Sequence, residues 1–450
     1  MSLQFITGNS GNGKTKYLFN RIVKEAKANP RDNYLVIVPE QFTMQTQRQL
    51  VDLSENKAIM NIDVLSFKRL AYRVFDELGI TNLTVLEETG KNLVLRKLAA
   101  QEADKLGVIG RNLNRIGYIS EVKSLLSELV QYNISPEELG RYIDSGSLSD
   151  TLSGKLKDVL VLYEAFEKFM QDKYITAEEI LNVLCNVAEE SAILRNSVIA
   201  FDEFTGFTPI QNQLIKKLFV ISKKIYVTLT IDCREDIFKS RGMQELFDMP
   251  KRTVKSLTEM AAFYGIEVEE PIILDKNYRL AENEELSFME QQLFRKRRCS
   301  FKKAPKHIHI DCLRDPKQEL TKMARTINEL VRNENLRYRD IAIVTGDVNI
   351  YAGYVREIFD KYNIPYFIDA TQEILFHPFI EFIRSIPDIA AQNFSADAVF
   401  RFLRCGFSEL TDSEIDVLEN YVLACGVRGK SAWDKKWVRL PKHKAGYDPE

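Results

Sequence analysis

The stretch Gly8-Asn9-Ser10-Gly11-Asn12-Gly13-Lys14-Thr15 decides how the rest of the chain is read. It follows the apolar run 3–7 and precedes a segment of helical periodicity, so the pattern Gly-x4-Gly-Lys-Thr lies between a strand and a helix. Glycines at such a turn let backbone N–H groups curl around phosphate oxygens, and the helix start adds the positive end of its dipole. On this reading Gly8, Gly11 and Gly13 shape a cradle, Lys14 reaches the outer phosphates and Thr15 ligates a magnesium ion. The cofactors to expect are ATP and Mg2+.

Working outward, strand and helix signals alternate at first. Apolar runs at 34–38 and 62–65 read as strands, and the segments after Lys14, Thr43 and Ser66 as helices, which is the pattern of a parallel, helix-covered sheet. From about 87 to 190 the periodicity is helical throughout. Amphipathic stretches lie at 120–131, 156–171 and 176–188, with breaks at Ser135-Pro136 and 145–153. Strand signals return at 197–201 and 225–231, as though the first sheet resumed after an insertion. A charged connector, 271–306, leads to a second α/β unit with strands expected at 307–313, 341–345 and 365–368 and helices at 316–332 and 350–362. So few strands make an incomplete sheet, and the expectation is the N-terminal part of a longer protein.

Hydrophobic residues make up 45% of the 450 and charged residues 28%, as in ordinary globular chains. A net charge of −2 excludes a globally basic coat for nucleic acid, so any DNA contact must come from a local groove. Two basic clusters, Arg295-Lys296-Arg297-Arg298 and the one around Lys435, Lys436, Arg439, Lys442 and Lys444, read as solvated surface. No apolar run reaches bilayer length and no leader precedes the first strand, so the cytoplasm is the expected location. Cys185, Cys233, Cys299, Cys312, Cys405 and Cys425 include no Cys-x-x-Cys pair and read as buried free thiols rather than metal ligands. His307 and His309 share a strand face without acidic neighbours and read as non-ligands.

Hydrolysis at a phosphate loop needs an acidic pair at the end of an apolar strand. Ser197-Val198-Ile199-Ala200-Phe201-Asp202-Glu203 supplies one, Asp202 to position magnesium and Glu203 to activate water. By itself such a pair is an ordinary solvated turn. A third element, Leu274-Asp275-Lys276-Asn277-Tyr278-Arg279, brings Arg279 to the end of a short apolar run, where a guanidinium meets developing γ-phosphate charge. Alone, Arg279 would read as a surface arginine at a helix start. The catalytic candidates are Lys14, Asp202, Glu203 and Arg279; the metal candidates are Thr15 and Asp202.

These elements, in this order and with a helical insertion between the first two, resemble the superfamily-one DNA helicases of the UvrD type. Asp202-Glu203-Phe204 with Gln211 is similar to that family's Asp-Glu-x-Gln-Asp-Thr motif, although Thr205 stands where the family has glutamine. Asn277-Tyr278-Arg279 matches its Asn-Tyr-Arg motif. Tyr338-Arg339-Asp340-Ile341-Ala342-Ile343 and Asn363-Ile364-Pro365-Tyr366 resemble the start of its second motor domain. A closer resemblance is to the AddB (RexB) family, one of the two components of bacterial AddAB helicase–nucleases. It is carried by Val38-Pro39-Glu40-Gln41, Leu65-Ser66-Phe67-Lys68-Arg69-Leu70-Ala71-Tyr72-Arg73, Phe204-Thr205-Gly206-Phe207-Thr208-Pro209 and His377-Pro378-Phe379-Ile380-Glu381-Phe382-Ile383-Arg384-Ser385, and runs to about Trp437.

The resemblance implies an α/β fold of RecA-like P-loop NTPase domains in UvrD-type helicase architecture with helical insertions. Residues 1–86 and 191–270 would form the first RecA-like domain, 87–190 its helical insertion, 271–395 the start of a second RecA-like domain and 396–450 the start of a second insertion. It further implies a heterodimer with AddA that processes double-strand DNA breaks for recombinational repair, in which the AddB component scans single-stranded DNA for a short Chi sequence. The residues matching Chi-reading positions are Gln41, Thr43, Phe67, Arg69 and Tyr72, with Phe207. Aromatic, arginine and amide side chains just after parallel strands suit base stacking and edge reading, although Phe67 and Tyr72 taken alone read as core-facing helix residues.

Family members are longer and carry a C-terminal nuclease domain bracketed by iron–sulfur cysteines, outside these residues, so no nuclease activity and no cluster is expected here. Many have glycine where Glu203 stands, which leaves hydrolysis chemically possible in this chain. Against a working motor, only two residues precede the expected first strand, with no place for an upstream adenine-holding glutamine, and the sequence ends before the motifs that would supply the family's second arginine. Binding is therefore expected over turnover. The competing readings are an autonomous superfamily-one helicase or translocase, and a nucleotide-dependent kinase, which the loop alone does not exclude but the helical insertion and Asn-Tyr-Arg element disfavour.

Overall fold

The computed structural model describes residues 1–81, 84–110, 116–145, 148–170, 174–176, 178–295, 299–370 and 374–438. The chain forms two compact units, Met1–His309 and Ile310–Glu450. In chain order the strands are β1 (Ser2–Gly8), β2 (Tyr34–Ile37), β3 (Ile62–Leu65), β4 (Val85–Leu86), β5 (Ile175–Thr176), β6 (Val198–Phe201), β7 (Lys224–Thr230), β8 (Glu267–Val268) and β9 (Ile272–Leu274), all in the first unit. β4 and β5 pair with each other. The other seven make one parallel sheet in the order β3-β2-β6-β7-β1-β8, with β9 also paired to β1.

Both faces of this sheet are covered, which is why its strands are mostly apolar rather than alternating. Leu3, Phe5, Leu35, Ile37, Ile199, Phe201, Ile225 and Val227 meet one core, with α3 (Phe67–Leu78), α8 (Ile180–Val187), α9 (Pro209–Ile221) and α10 (Asp248–Phe263). Ile6, Val36, Val198, Ala200 and Tyr226 meet the other, with α1 (Lys14–Ala28) and Leu50 of α2 (Thr43–Leu53). Each such Leu, Ile or Phe contributes about 1.5–3 kcal/mol on burial. Caps set the helix starts: Thr208 and Gln211 form a reciprocal capping box at α9, with Pro209 in its first turn. Gln211, expected as a motif residue, therefore serves the helix.

The helices α4 (Glu88–Gln101), α5 (Ile116–Gln131), α6 (Pro136–Asp144) and α7 (Asp150–Met170) build a core of their own around Leu95, Leu126, Leu139 and Leu162. Here the helical insertion expected at 87–190 differs at its end. Ile180, Leu184 and Cys185 of α8 pack into the core of the parallel sheet, because the apolar stripe of that helix matches the faces of α3 and α9.

Two further expectations are corrected. A domain boundary at 271 does not fit: β9 pairs with β1, and α11 (Glu284–Gln292) stays in the first unit, whose last residue is His309. In the second unit, α12 (Pro316–Asn333), α13 (Val348–Lys361), α14 (Pro378–Ala391), α15 (Ala396–Leu403), α16 (Asp412–Cys425) and α17 (Lys430–Trp433) are helical, but 307–313, 341–345 and 365–368 are not strands among the described residues. A strand exists through its ladder, and no partner strand reaches these segments. Ile310, Val344 and Phe367 are correspondingly exposed. The α/β organisation thus holds for the first unit.

Of the cysteines only Cys185 is buried, its thiol pushed up to about 11 by burial; Cys299 and Cys312 are exposed. Arg295 is ion-paired, while Lys296–Arg298 and Arg439, Lys442 and Lys444 lie outside the described residues. Among the described residues no helix is long and apolar enough to cross a membrane.

Candidate nucleotide site and nucleic-acid edge

β1 runs into the loop at Gly8, and α1 starts at Lys14 with Gly13 as its N-cap in the left-handed region, φ 80°. Gly11 has φ 87°, and a Cβ there would lie 2.8 Å from Arg279 Cβ and 2.8 Å from Asn277 Oδ1. Only glycine satisfies both the conformation and the crowding. Asn277 Nδ2 donates to Ser10 O at 2.9 Å, Tyr278 N to Gly11 O at 3.0 Å, and Arg279 Nη1 to Ser10 Oγ at 3.4 Å. The Asn-Tyr-Arg element therefore lies directly on the glycine-rich loop.

Lys14 Nζ folds back to donate to Gly8 O at 3.1 Å and Asn9 O at 3.0 Å. Burial pulls its ammonium below the usual lysine range, against the opposing charges of Glu203 and Asp202. Thr15 Oγ1 lies 3.3 Å from Asp202 Oδ1 and 3.3 Å from Glu203 Oε1. Asp202 is 1% exposed; its Oδ1 also accepts from the hydroxyl of Thr228 on the intervening β7, while Oδ2 has no partner among the described residues. Burial pushes the Asp202 carboxyl up, partly offset by the Thr228 hydrogen bond, and the Glu203 charge adds to the rise. Glu203 is exposed at φ 63°, a conformation uncommon for a residue with a Cβ. A cleft of about 720 Å³ takes in Lys14, Thr15, Asp202, Glu203 and Arg279, and reaches Gln49 and Asp52 of α2. All four catalytic candidates are thus brought to one cleft.

Several members of this site escaped the sequence. Asn9, 5% exposed, donates to Glu290 Oε1 of α11 at 2.8 Å and accepts from Cys233 N at 2.9 Å, tying the loop to α11 and to the end of β7. Beside it Asp232, 1% exposed, takes hydrogen bonds from Arg234 (Nη2 at 2.6 Å) and Arg295 (Nε at 3.0 Å). Burial alone would raise its carboxyl, but the two guanidinium groups outweigh this and hold it at about 2. The available signal was positional: Asp232, like Asp202, is an acid just past an apolar strand, and Thr228 is a polar residue inside one. Tyr278, the middle residue of the Asn-Tyr-Arg element, also lines the cleft. Its ring is 65% exposed and lies 3.4 Å from where a Gly13 Cβ would be.

The nucleic-acid candidates gather where β2 and β3, paired in parallel from Tyr34↔Ile62 to Ile37↔Leu65, give way to α2 and α3. Gln41, Arg69 and Tyr72 are exposed there. Thr43 is buried, its hydroxyl donating to Glu40 O at 3.0 Å. Phe67 is 7% exposed and sits in a ring cluster with Phe201, Phe204 and Phe207 at centroid distances of 5.8, 5.5 and 6.3 Å. A base cannot stack on Phe67 without displacing these neighbours, so it supports the edge from beneath. Phe207 is half-buried in the same cluster.

A parallel sheet covered by helices on both faces, with a glycine-rich loop opening its first helix and acids from a second strand beside it, defines an α/β protein. Within that class the family model described as ADDB, N-terminal, matches residues 5–290, and the chain belongs to this family. Among curated proteins it is 39% identical over 453 residues to the B subunit of the ATP-dependent helicase/deoxyribonuclease of Lachnoclostridium phytofermentans, covering 100% of this chain and 39% of that one. The proteins of the same name in Clostridium acetobutylicum and Clostridioides difficile are 34% and 33% identical, over 97% and 100% of this chain. The chain spans 38% and 39% of those two relatives' length.

Proposed function

We propose that this chain is the ATP-binding, single-strand-scanning part of a helicase–nuclease component, which reads a Chi sequence while double-strand DNA ends are processed for recombinational repair. The observation carrying the nucleotide half is convergence: Lys14 and Thr15, Asp202 and Glu203, and Arg279 come from three distant segments yet line one cleft. Lys14 would exchange its bonds to Gly8 and Asn9 for phosphate oxygens, and Arg279 would meet the terminal phosphate. The unpartnered Oδ2 of Asp202 and the Thr15 hydroxyl beside that carboxylate fit a hard, oxygen-preferring cation, and these two residues would hold Mg2+. When bound, that ion would draw charge from the phosphate oxygens.

The nucleic-acid half rests on the exposed amide, guanidinium and phenol of Gln41, Arg69 and Tyr72 along one sheet edge. The relatives are named as one component of a multi-subunit helicase/deoxyribonuclease, which supports partnership with an AddA-type protein. One experiment tests both halves. The full-length protein is titrated with a fluorescent ATP analogue and with labelled single-stranded DNA. Lys14→Ala should weaken the first alone, and Arg69→Ala should reduce sequence discrimination in the second.

The alternative, an autonomous DNA translocase with its own ATPase motor, is favoured by one observation, Glu203 within 3.3 Å of Thr15 where a water-activating base belongs. DNA-stimulated turnover of roughly ten per second or more by this chain alone would establish it.

A further inference from the structure

We propose that Glu40 is a positioning residue that makes Arg69 a reader of guanine. The proposal rests on the reading of this edge as a single-strand-binding surface. Glu40 opens the short 3-10 turn Glu40–Phe42 after β2, and Arg69 lies in the first turn of α3 after the neighbouring β3. One Glu40 carboxylate oxygen accepts from Arg69 Nε at 3.1 Å and the other accepts from the Ser66 hydroxyl. Ser66 is itself fixed, because its Oγ caps α3 by accepting from Arg69 N at 3.2 Å. The carboxylate is therefore held by a helix cap and in turn holds the guanidinium by its Nε side. Among the described residues no hydrogen bond or ion pair reaches Arg69 Nη1 or Nη2, and the side chain is 56% exposed.

Two consequences follow from this geometry. The terminal edge keeps two parallel N–H donors facing solvent, the arrangement that matches O6 and N7 of guanine. Pairing with Glu40 also cancels much of the guanidinium charge while leaving those donors intact. A phosphate, which is drawn by charge, is disfavoured beside a carboxylate; a neutral base edge, drawn by hydrogen-bond geometry, is not. Glu40 thereby exchanges non-specific affinity for discrimination.

That inversion of sign sets the test. The full-length protein, its isosteric variant Glu40→Gln and Arg69→Ala are compared for binding to an oligothymidine of about 15 nucleotides, the same strand with a central guanine pair, and the same strand with 7-deazaguanine, which lacks N7. The wild type should prefer guanine over both other strands roughly tenfold. Glu40→Gln should lose most of that preference, bind plain oligothymidine more tightly, and steepen the salt dependence by about 0.7 in log–log slope. A variant that keeps the guanine preference overturns the proposal, and so does one that binds every strand more weakly with a lowered thermal midpoint, the signature of a merely structural role. A wild type with no affinity for any strand overturns the DNA-binding reading itself and this proposal with it.

Discussion

The side-chain amide of Asn277 donates to the backbone carbonyl of Ser10 at 2.9 Å, across 267 positions of sequence. Its Oδ1 accepts from Leu280 N at 3.0 Å, so one side chain both closes the turn carrying Arg279 and pins that turn to the glycine-rich loop. The protein's own hydrogen bonds thus hold the Arg279 turn against the glycine-rich loop.

Gly11→Ala should therefore break the site rather than the fold. Left-handed backbone strain costs about 1–2 kcal/mol, and the added methyl collides with Asn277 and Arg279. Gly79→Ala is the control: φ is 69°, but a Cβ there meets nothing within 4 Å. Thermal melts should show similar losses for the two, and titration with an ATP analogue should show lost binding only for Gly11→Ala.

Lys14→Ala removes a charge-assisted phosphate contact worth about 1.5–3 kcal/mol, a roughly ten- to hundredfold loss of affinity for a fluorescent ATP analogue. Unchanged affinity would remove Lys14 from the site.

Asp202→Asn should act in opposite directions on stability and binding. The raised Asp202 pKa means that the folded state disfavours the anion, so stability is lost as pH rises past the ordinary value of 3.8. Without ligand at neutral pH the variant should melt higher than wild type, with the difference vanishing below about pH 3. The stabilisation by ATP and magnesium seen in wild type should disappear. A variant that melts lower and still responds to the pair contradicts both arms.

Asp232 predicts the reverse pH dependence. Held at about 2 by Arg234 and Arg295, it contributes stability above the ordinary aspartate value and loses it as pH falls from about 4 to about 2. The shift corresponds to about 2 kcal/mol. Denaturant unfolding of Asp232→Asn should show that deficit at neutral pH, shrinking towards zero in acid.

Along the nucleic-acid edge, burial separates the aromatic residues. Tyr72→Ala should cost about 1–3 kcal/mol in single-strand binding, indifferent to sequence, with little loss of stability. Phe67→Ala should cost about 3–5 kcal/mol of folding stability instead, because its ring fills a core. Equal effects of both on binding, at unchanged stability, would contradict this division.

Five strands of the first sheet, β1, β2, β3, β6 and β7, were legible in the sequence because a parallel strand buried on both faces is a short apolar run, and the loop motif fixed where the first one ends; the short β8 and β9 were not. Asp202 and Arg279 were legible as polar residues just past such runs. What stayed hidden depended on partners rather than pattern. The apolar runs at 341–345 and 365–368 look like strands locally, yet a ladder needs a neighbour that local sequence cannot display. Asn9 and Glu290 reveal a link only once the fold brings them within 2.8 Å. Phe67 could be read both as an exposed stacking ring and as a core residue, since both place an aromatic after a strand. Its three ring neighbours, all beyond position 200, decided between them.

The position of β1 in its sheet has a consequence for synthesis on the ribosome. β1 lies between β7 on one side and β8 and β9 on the other, all more than about 200 residues downstream. At about 5–20 residues per second, roughly 10 to 40 seconds pass between the emergence of Ser2–Gly8 and that of its first lateral neighbour. Meanwhile α4–α7, whose core is drawn from one contiguous stretch, can pack on themselves. The nascent chain thus carries an unpaired apolar strand while more than about 200 further residues are added, which makes that segment a natural client for a chaperone.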